Sequence, residues 1–571
     1  MADGVREGGR QMSSLARRVP LDRLSDLVAT IRRRWAGDGD RPAPAIGRYV
    51  HASWFRRHRI LCFVALTLFS ILYGFSFAIL GRYLLVQLTA PLLVLGCIVL
   101  WVLPDAGAAP VRALGASLMA FMFALLCWPD YIAFAVPGLP WVTATRLFGV
   151  PMVLIMLYCM ATSSAFRDRI WDIINVAPEI WKLFVAFNVL AALSIALSDN
   201  IPASINKFVI AQVSWTTVFF AACYIFTEPG RIKRMAAYLW GITIYCCLIG
   251  LYEIRYEKLP WAGRIPSFLK IEDEQVLRVL AGLSRAASGV YRVQSKFGIS
   301  LSLGEFFGLA LPFILHLIVN TKTMWVRLLG VVTLAMVFVV TLRTDSRLAF
   351  IGFIVALLLY ALYWSFTYWR TNRQSIFAAA LMLAYPAGLV AFITLAFAWR
   401  RLERLILGGG AQQASTDSRK DQYAMGWRIL KHNPIGHGIG EAATTLGYRV
   451  QDGTLTIDTY YLAVALEYGV LGFVIYYAMF LFGIARAASL GMKTKDPEIV
   501  FIVPTCIALV NFFISKSVFS QQENHPLAFL LLGIVVALSW RQRIMLQEVG
   551  AVPPPRATVV GATYRAMPRI V

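Results

Sequence analysis

Apolar runs long enough to cross a membrane alternate with short polar turns along most of this chain. A helical span needs about 20 mostly apolar residues to cross a hydrocarbon core of about 30 Å, and by that measure the sequence predicts about fourteen spans. They fall near 60–80, 84–103, 111–128, 147–165, 179–197, 207–226, 234–254, 297–319, 325–341, 347–368, 374–397, 457–489, 499–518 and 526–541. The twelfth is too long for one straight crossing. The stretch "EYGVLG" (467–472) interrupts it and predicts a bend, or a short re-entrant helix before the span.

Two polar stretches are longer than turns, 255–296 and 398–456. In the first, 266–283 has the spacing of an amphipathic helix lying flat on a membrane. In the second, Asp417 or Ser418 is placed to cap a helix, and Pro434 to stop it. Met425, Trp427, Ile429 and Leu430 supply its apolar residues. The passage that follows, "KHNPIGHGIGE" (431–441), alternates Gly436, Gly438 and Gly440 around His437. His432 and His437 lack helical metal-ligand spacing, and no βαβ context supports a phosphate loop. A glycine turn that lets the backbone lie close to another element is the best physical reading.

Composition agrees with the pattern: 58% of residues are hydrophobic and 15% charged, where a soluble domain carries about 25% charged. The fold class expected is an all-α polytopic membrane protein. Lys/Arg bias sets the orientation. With both termini cytoplasmic, the inner segments are 1–59, 104–110, 166–178, 227–234, 320–327, 369–373, 486–498 and 542–571, nearly all basic. Both long loops then face outward. The organisation expected is a basic N-terminal arm (1–59), N-terminal spans (60–254), an outer loop (255–296), further spans (297–397), a large outer loop (398–456), C-terminal spans (457–541) and a cytoplasmic tail (542–571). The net charge of +23 is thus partly topology. In the arm, 20–35 repeats apolar residues at helical spacing beside Arg32, Arg33 and Arg34, as in a helix resting on anionic lipids. A nucleic-acid partner would need a basic folded domain, and none is seen. The first apolar run begins only near residue 60, so no signal-peptide pattern is present. All eight cysteines fall in expected spans, where they serve as small buried hydrophobes.

Charged residues at a span's edge are costly and need a partner or a task. Four outer places carry them. In "TLRTDSRLAF" (341–350), Arg343 and Arg347 share a face if the turn is helical, and Asp345 can neutralise one of them. In "YRVQSKFGISLSLGEFF" (291–307), Arg292 and Lys296 repeat that spacing. Arg419 lies in the first turn of the loop helix, and Asp458 opens the next span. Glu467, further along, reads equally as a buried structural acid.

The stretch 415–472 resembles the O-antigen ligase and polymerase superfamily of bacterial membrane glycosyltransferases. The resemblance rests on Arg419, the "NPIGHGIG" turn (433–440) and "DTYYLAVALEYGVLG" (458–472). "SRLAF" (346–350) and the re-entry at 292–313 are also similar. It covers about 290–475 and is only general elsewhere. It implies a GT-C-like bundle of about 12–14 transmembrane helices, with a large extracytoplasmic loop carrying short amphipathic helices. It implies an inner-membrane enzyme, metal-independent and without cofactor, whose site faces the periplasm. The donor implied is an oligosaccharide on undecaprenyl diphosphate. Partners implied are a chain-length regulator and other polysaccharide-assembly proteins, beside the anionic lipids expected from the arm helix. Carried over by residue, Arg347 and Arg419 would hold the diphosphate, with Arg343, Arg292 and Lys296 as further candidates. Tyr460 would touch glycan, His437 would touch a sugar or simply cap the turn, and Asp458 would act as base or as a structural partner of the arginines. Ligases of the family usually open the post-loop helix with His-Asn; this chain has Asp458-Thr459. That departure favours a polymerase of O-antigen, capsule or exopolysaccharide over a ligase acting on lipid A core. Two other readings stand beside it: a protein O-oligosaccharyltransferase and, from a different class, a flippase or transporter for lipid-linked oligosaccharides. Transporters usually show internal repeats and mid-span polar residues, whereas the ionisable residues here gather at one membrane face.

Overall fold

The structure, a computed structural model, describes residues 107–134, 141–269, 271, 274–282, 291–398, 413–450 and 453–548, with scattered positions between 60 and 96. The expected arm helix (20–35), most of the first two expected spans and the end of the tail lie outside the described residues.

In chain order the helices are α1 (Val111–Cys127), α2 (Ala144–Thr162), α3 (Ser164–Ile174), α4 (Pro178–Ser194), α5 (Ile201–Ala211) and α6 (Thr217–Ile225). Next come α7 (Arg231–Tyr256), α8 (Glu274–Ala281), α9 (Ser300–Asn320), α10 (Met324–Arg343), α11 (Arg347–Thr371) and α12 (Ile376–Ala398). The last five are α13 (Gln413–His432), α14 (Ala442–Leu446), α15 (Tyr460–Lys493), α16 (Ile502–Ser515) and α17 (His525–Glu548). Every expected span from 111 onward coincides with one or two of these helices, because apolar runs of that length can satisfy their backbone only as helices. Among the described residues nine helical stretches are long and apolar enough to cross a membrane; α1, part of α12 and the 499–515 stretch are apolar but shorter. No strand occurs among the described residues, only two isolated bridges. The molecule is an all-α polytopic membrane protein.

The bundle centres on α9, nearly all of whose residues from Ser300 to His316 are buried. It packs against α10, α11 and α16, while α15 lies against α4 and α16. Helices in lipid gain by close approach, which small residues permit. A Cβ on Gly304 of α9 would strike Ala349 of α11, and one on Gly533 of α17 would strike Ala222 of α6.

The bend expected in the twelfth span lies at Gly469, whose φ of 71° and ψ of −177° break α15. The arm before it is short. The 24 residues after it rise about 36 Å, enough to cross alone, so the arm before the break is not needed for the crossing.

Three ion pairs hold the loops at one end of the bundle: Arg486–Glu179 at 2.8 Å, Arg541–Glu498 at 2.7 Å and Arg543–Asp172 at 2.5 Å. Gly230 N also donates to Glu498 at 2.7 Å. They join 166–179, 227–231, 486–498 and 540–543, which the charge bias assigned to one side. The turns at 291–299, 343–347, 456–459 and 516–524 gather elsewhere, around a shared cavity.

Candidate active site

That cavity has a volume of about 330 Å³, and its polar wall is Arg292, Asp345, Ser346, Arg347, Arg419 and Asp458. Leu301, Leu348, Ile351, Val518 and Phe519 form an apolar side, with Gln521 among them.

Each polar residue is placed by local chain chemistry. Val293 N donates to Arg343 O at 3.1 Å, and Arg292 Nε donates to Thr344 O at 3.0 Å. Those bonds lay the 291–299 re-entry along the turn between α10 and α11. Ser346 caps α11 by accepting from Ala349 N at 3.3 Å, which puts Arg347 in the first turn. From there Arg347 Nη2 donates to Thr416 Oγ1 at 3.0 Å, reaching α13. One turn further along α13, Arg419 faces the same space. Asp458 is fixed by α13 as well: its backbone N donates to Gln422 Oε1 at 2.8 Å, and its Oδ2 accepts from Ser418 Oγ at 3.5 Å. Thr459 then caps α15, accepting from Leu462 N at 3.3 Å. Tyr460 N and Tyr461 N, which lack helical acceptors, donate to Lys516 O at 3.1 and 3.3 Å.

The electrostatics favour an anion. Three arginines and two aspartates line the space. Leu301, Arg347 and Asp458 come from the beginnings of α9, α11 and α15, so three helix N-termini lie beside it. Burial pushes the Asp458 carboxyl above its ordinary range, and the Arg419 charge and the Ser418 and Gln422 hydrogen bonds draw it back down.

The structure therefore brings Arg292, Arg347, Arg419 and Asp458 together, and leaves the other candidates elsewhere. Arg343 and Arg347 do not share a helical face: α10 ends at Arg343, and Asp345, at φ 49°, turns the chain before α11 begins. Arg343 is exposed. Lys296 is separated from Arg292 for a similar reason, since 292–299 is not helical and Ser295 has a φ of 55°. Its buried ammonium donates to Leu125 O at 2.6 Å and lies 4.0 Å from the centre of the Phe297 ring. Tyr460 is buried edge-on against His525, with ring centres 4.5 Å apart.

His437 lies in the glycine turn, and that turn sits on the break in α15 rather than over the cavity. A broken helix leaves carbonyl and N–H groups without helical partners. Here His437 N donates to Leu466 O at 2.9 Å, Gly438 N to Glu467 O at 3.0 Å, and Val470 N to Pro434 O at 2.9 Å. The approach is so close that a Cβ on Gly436 or Gly469 would meet backbone atoms of the other segment. Gly436, Gly438 and Gly440 have φ near 100°, a region that favours glycine. Glu441 secures the far side: it accepts from Ser198 Oγ at 2.9 Å and from Thr444 Oγ1 at 2.5 Å. Glu467 is a buried structural acid, 2.7 Å from Lys207 Nζ.

The helix of the large loop begins at Gln413, before the expected caps, and ends at His432 as Pro434 requires. Leu430 packs on Leu446, Leu462 and Leu466, with Met425 and Ile429 beside it, while Trp427 points outward. The cavity also takes in Asp345, Ser346 and the 516–524 turn, which were not among the expected site residues. The polar run "SKSVFSQQENHP" (515–526) between two spans was the signal for the last of these.

No curated protein matches the chain. A family model described as O-antigen ligase matches residues 332–477, a range that holds Arg347, Arg419, the glycine turn and Asp458 but neither Arg292 nor Gln521. Over that range, set within an all-helical membrane bundle, the chain carries a domain similar to those of the O-antigen ligase and polymerase superfamily.

Proposed function

We propose that this protein polymerises a surface polysaccharide, moving a glycan from undecaprenyl diphosphate to the terminal hydroxyl of another lipid-linked repeat unit. The observation that carries this reading is the single cavity in which Arg292, Arg347 and Arg419 face Asp458. Arginine forks bind diphosphate oxygens through paired hydrogen bonds and stabilise the charge that grows on them as the bond to the sugar breaks. Asp458 takes the proton of the acceptor hydroxyl as its oxygen attacks the anomeric carbon, and the lipid diphosphate leaves. A carboxyl raised by burial is a better base than an exposed one, and the nearby guanidinium favours its ionised form. The donor carries its own leaving-group energy, so the reading needs neither a nucleotide nor a metal. The site would face the periplasm across the inner membrane, opposite the end held by the three ion pairs.

An aspartate at 458, where the family's ligases usually carry histidine, favours polymerase over ligase. The deciding experiment incubates purified protein with undecaprenyl-diphosphate repeat units alone. A ladder of longer lipid-linked glycans is expected. Transfer only after lipid A core is added would reverse the assignment to ligase, and no transfer to either would sink the glycosyltransferase reading.

A further inference from the structure

The apolar side of the cavity includes one polar side chain that the arginine–aspartate chemistry does not use. Residues 516–524 join α16 to α17, and this turn is anchored with unusual firmness. Lys516 and Glu305 pair at 2.8 Å with side chains 0% and 1% exposed. The same ammonium donates to Gln521 O at 2.5 Å. Asn524 Nδ2 donates to Ser302 O at 2.8 Å and to Glu305 Oε2 at 3.2 Å, and Gly298 N donates to Glu523 Oε1 at 3.3 Å. A buried ion pair seldom adds net stability over an apolar pair of the same size. This one ties a cavity-lining turn to the central helix α9, so its effect is to hold that turn in one place. The residue whose main chain is held there is Gln521. Its Oε1 is buried and accepts no hydrogen bond, although the residue lines the cavity.

An amide oxygen taken from water and left without a donor is costly. It repels phosphate oxygens and needs an O–H or N–H. In a site whose arginines serve a diphosphate, the donors next to that group are sugar hydroxyls. We propose that Gln521 is a specificity-determining residue whose amide turns on substrate binding so that its oxygen accepts a hydrogen bond from one hydroxyl of the substrate glycan. This rests on the glycosyl-transfer reading above. A rigid site built to hydrogen-bond a hydroxyl rejects analogues that lack it far more strongly than an apolar pocket rejects an added group.

The test uses the full chain in lipid nanodiscs, as wild type and as Gln521→Met, which keeps length and removes the amide. Substrates are the native lipid-diphosphate repeat unit and a set of monodeoxy analogues, each tried first as donor and then as acceptor. On the native unit Gln521→Met is expected to raise KM roughly 5- to 10-fold with kcat little changed. On one deoxy analogue wild type and variant should become equal, and the arm in which that happens identifies the donor or the acceptor sugar. Binding of sugar-free undecaprenyl diphosphate should be the same for both proteins. A variant indistinguishable on the native unit, or one that loses the same factor on every analogue, overturns the assignment of Gln521. Impaired binding of the sugar-free lipid overturns it as well. A wild type that makes no product with any unit overturns the glycosyl-transfer reading and this inference together.

Discussion

The two ends of the bundle handle arginine in opposite ways. At one end Arg486, Arg541 and Arg543 each meet a carboxylate within 2.8 Å, three cations against three acids, joining loops from distant parts of the chain. At the cavity three arginines share the space with two aspartates and three helix N-termini. Arg292 and Arg347 also reach a carbonyl and a hydroxyl there. The first arrangement is balanced and acts as a fastener. The second lines an open volume with one more arginine than aspartate among its described lining residues, as the proposed anionic substrate would require. Arginine count alone does not separate them; the presence of an open volume does.

The largest effect expected from breaking this contrast is at the cavity. Arg347→Ala or Arg419→Ala should lower transfer by about 10²- to 10³-fold, the usual loss when a stabilising donor is removed from a developing anion. The check is glycan ladder formation by protein that still elutes as one species. Asp458→Asn follows, with a loss of about 10²-fold. Because burial raises this carboxyl, the wild-type rate should fall on the acid side at a pH above the ordinary aspartate midpoint. Arg419 draws the midpoint down, so the residual activity of Arg419→Gln should have its acid limb moved to higher pH. A pH–rate profile of each protein tests the sign. The same raised carboxyl favours the fold most below the ordinary aspartate range, and that contribution is lost as pH rises through its folded value.

Gly469→Ala acts through the backbone. With φ at 71° and ψ at −177°, and carbonyl oxygens of Pro434 and Ile435 where a Cβ would go, it should cost about 1–3 kcal/mol or more. Thermal unfolding would show the loss, with activity falling as Asp458 loses its seat. The smallest effect belongs to the balanced end. Arg486→Ala should cost about 1 kcal/mol, since its pair is half-exposed, and leave the rate per folded molecule near wild type. A large rate loss there would dissolve the contrast between the two ends.

Much of this architecture can be read from the residues because membrane crossing is a strong constraint. Runs of about 20 apolar residues located every span that the structure describes, and a glycine inside an overlong run located the break in α15. Arg347, Arg419 and Asp458 were legible as charges at span edges. Lys296 and Arg343 were placed beside Arg292 and Arg347 by assuming helical spacing, and that assumption failed where Ser295 and Asp345 take left-handed conformations. No simple periodicity announces such turns in a non-glycine residue. Gln521 was missed because a short polar turn between spans has the same composition whether it faces solvent or closes a cavity. Its placement depends on Lys516 and Glu305, residues 211 positions apart in sequence.

The seam between the glycine turn and the broken α15 is made of main-chain atoms. Three of its hydrogen bonds have backbone donors and acceptors on both sides, so side-chain changes at Ile435 leave them intact, while the His437 ring adds a longer contact to Leu466 O at 3.4 Å. The long loop and the broken helix then open as one cooperative unit. Amide protons of His437, Gly438 and Val470 should exchange with deuterium as slowly as those of the span itself. A loop that looks peripheral in sequence is thereby given the lifetime of the membrane core, and Arg419 keeps its distance from Asp458 for as long as the bundle holds.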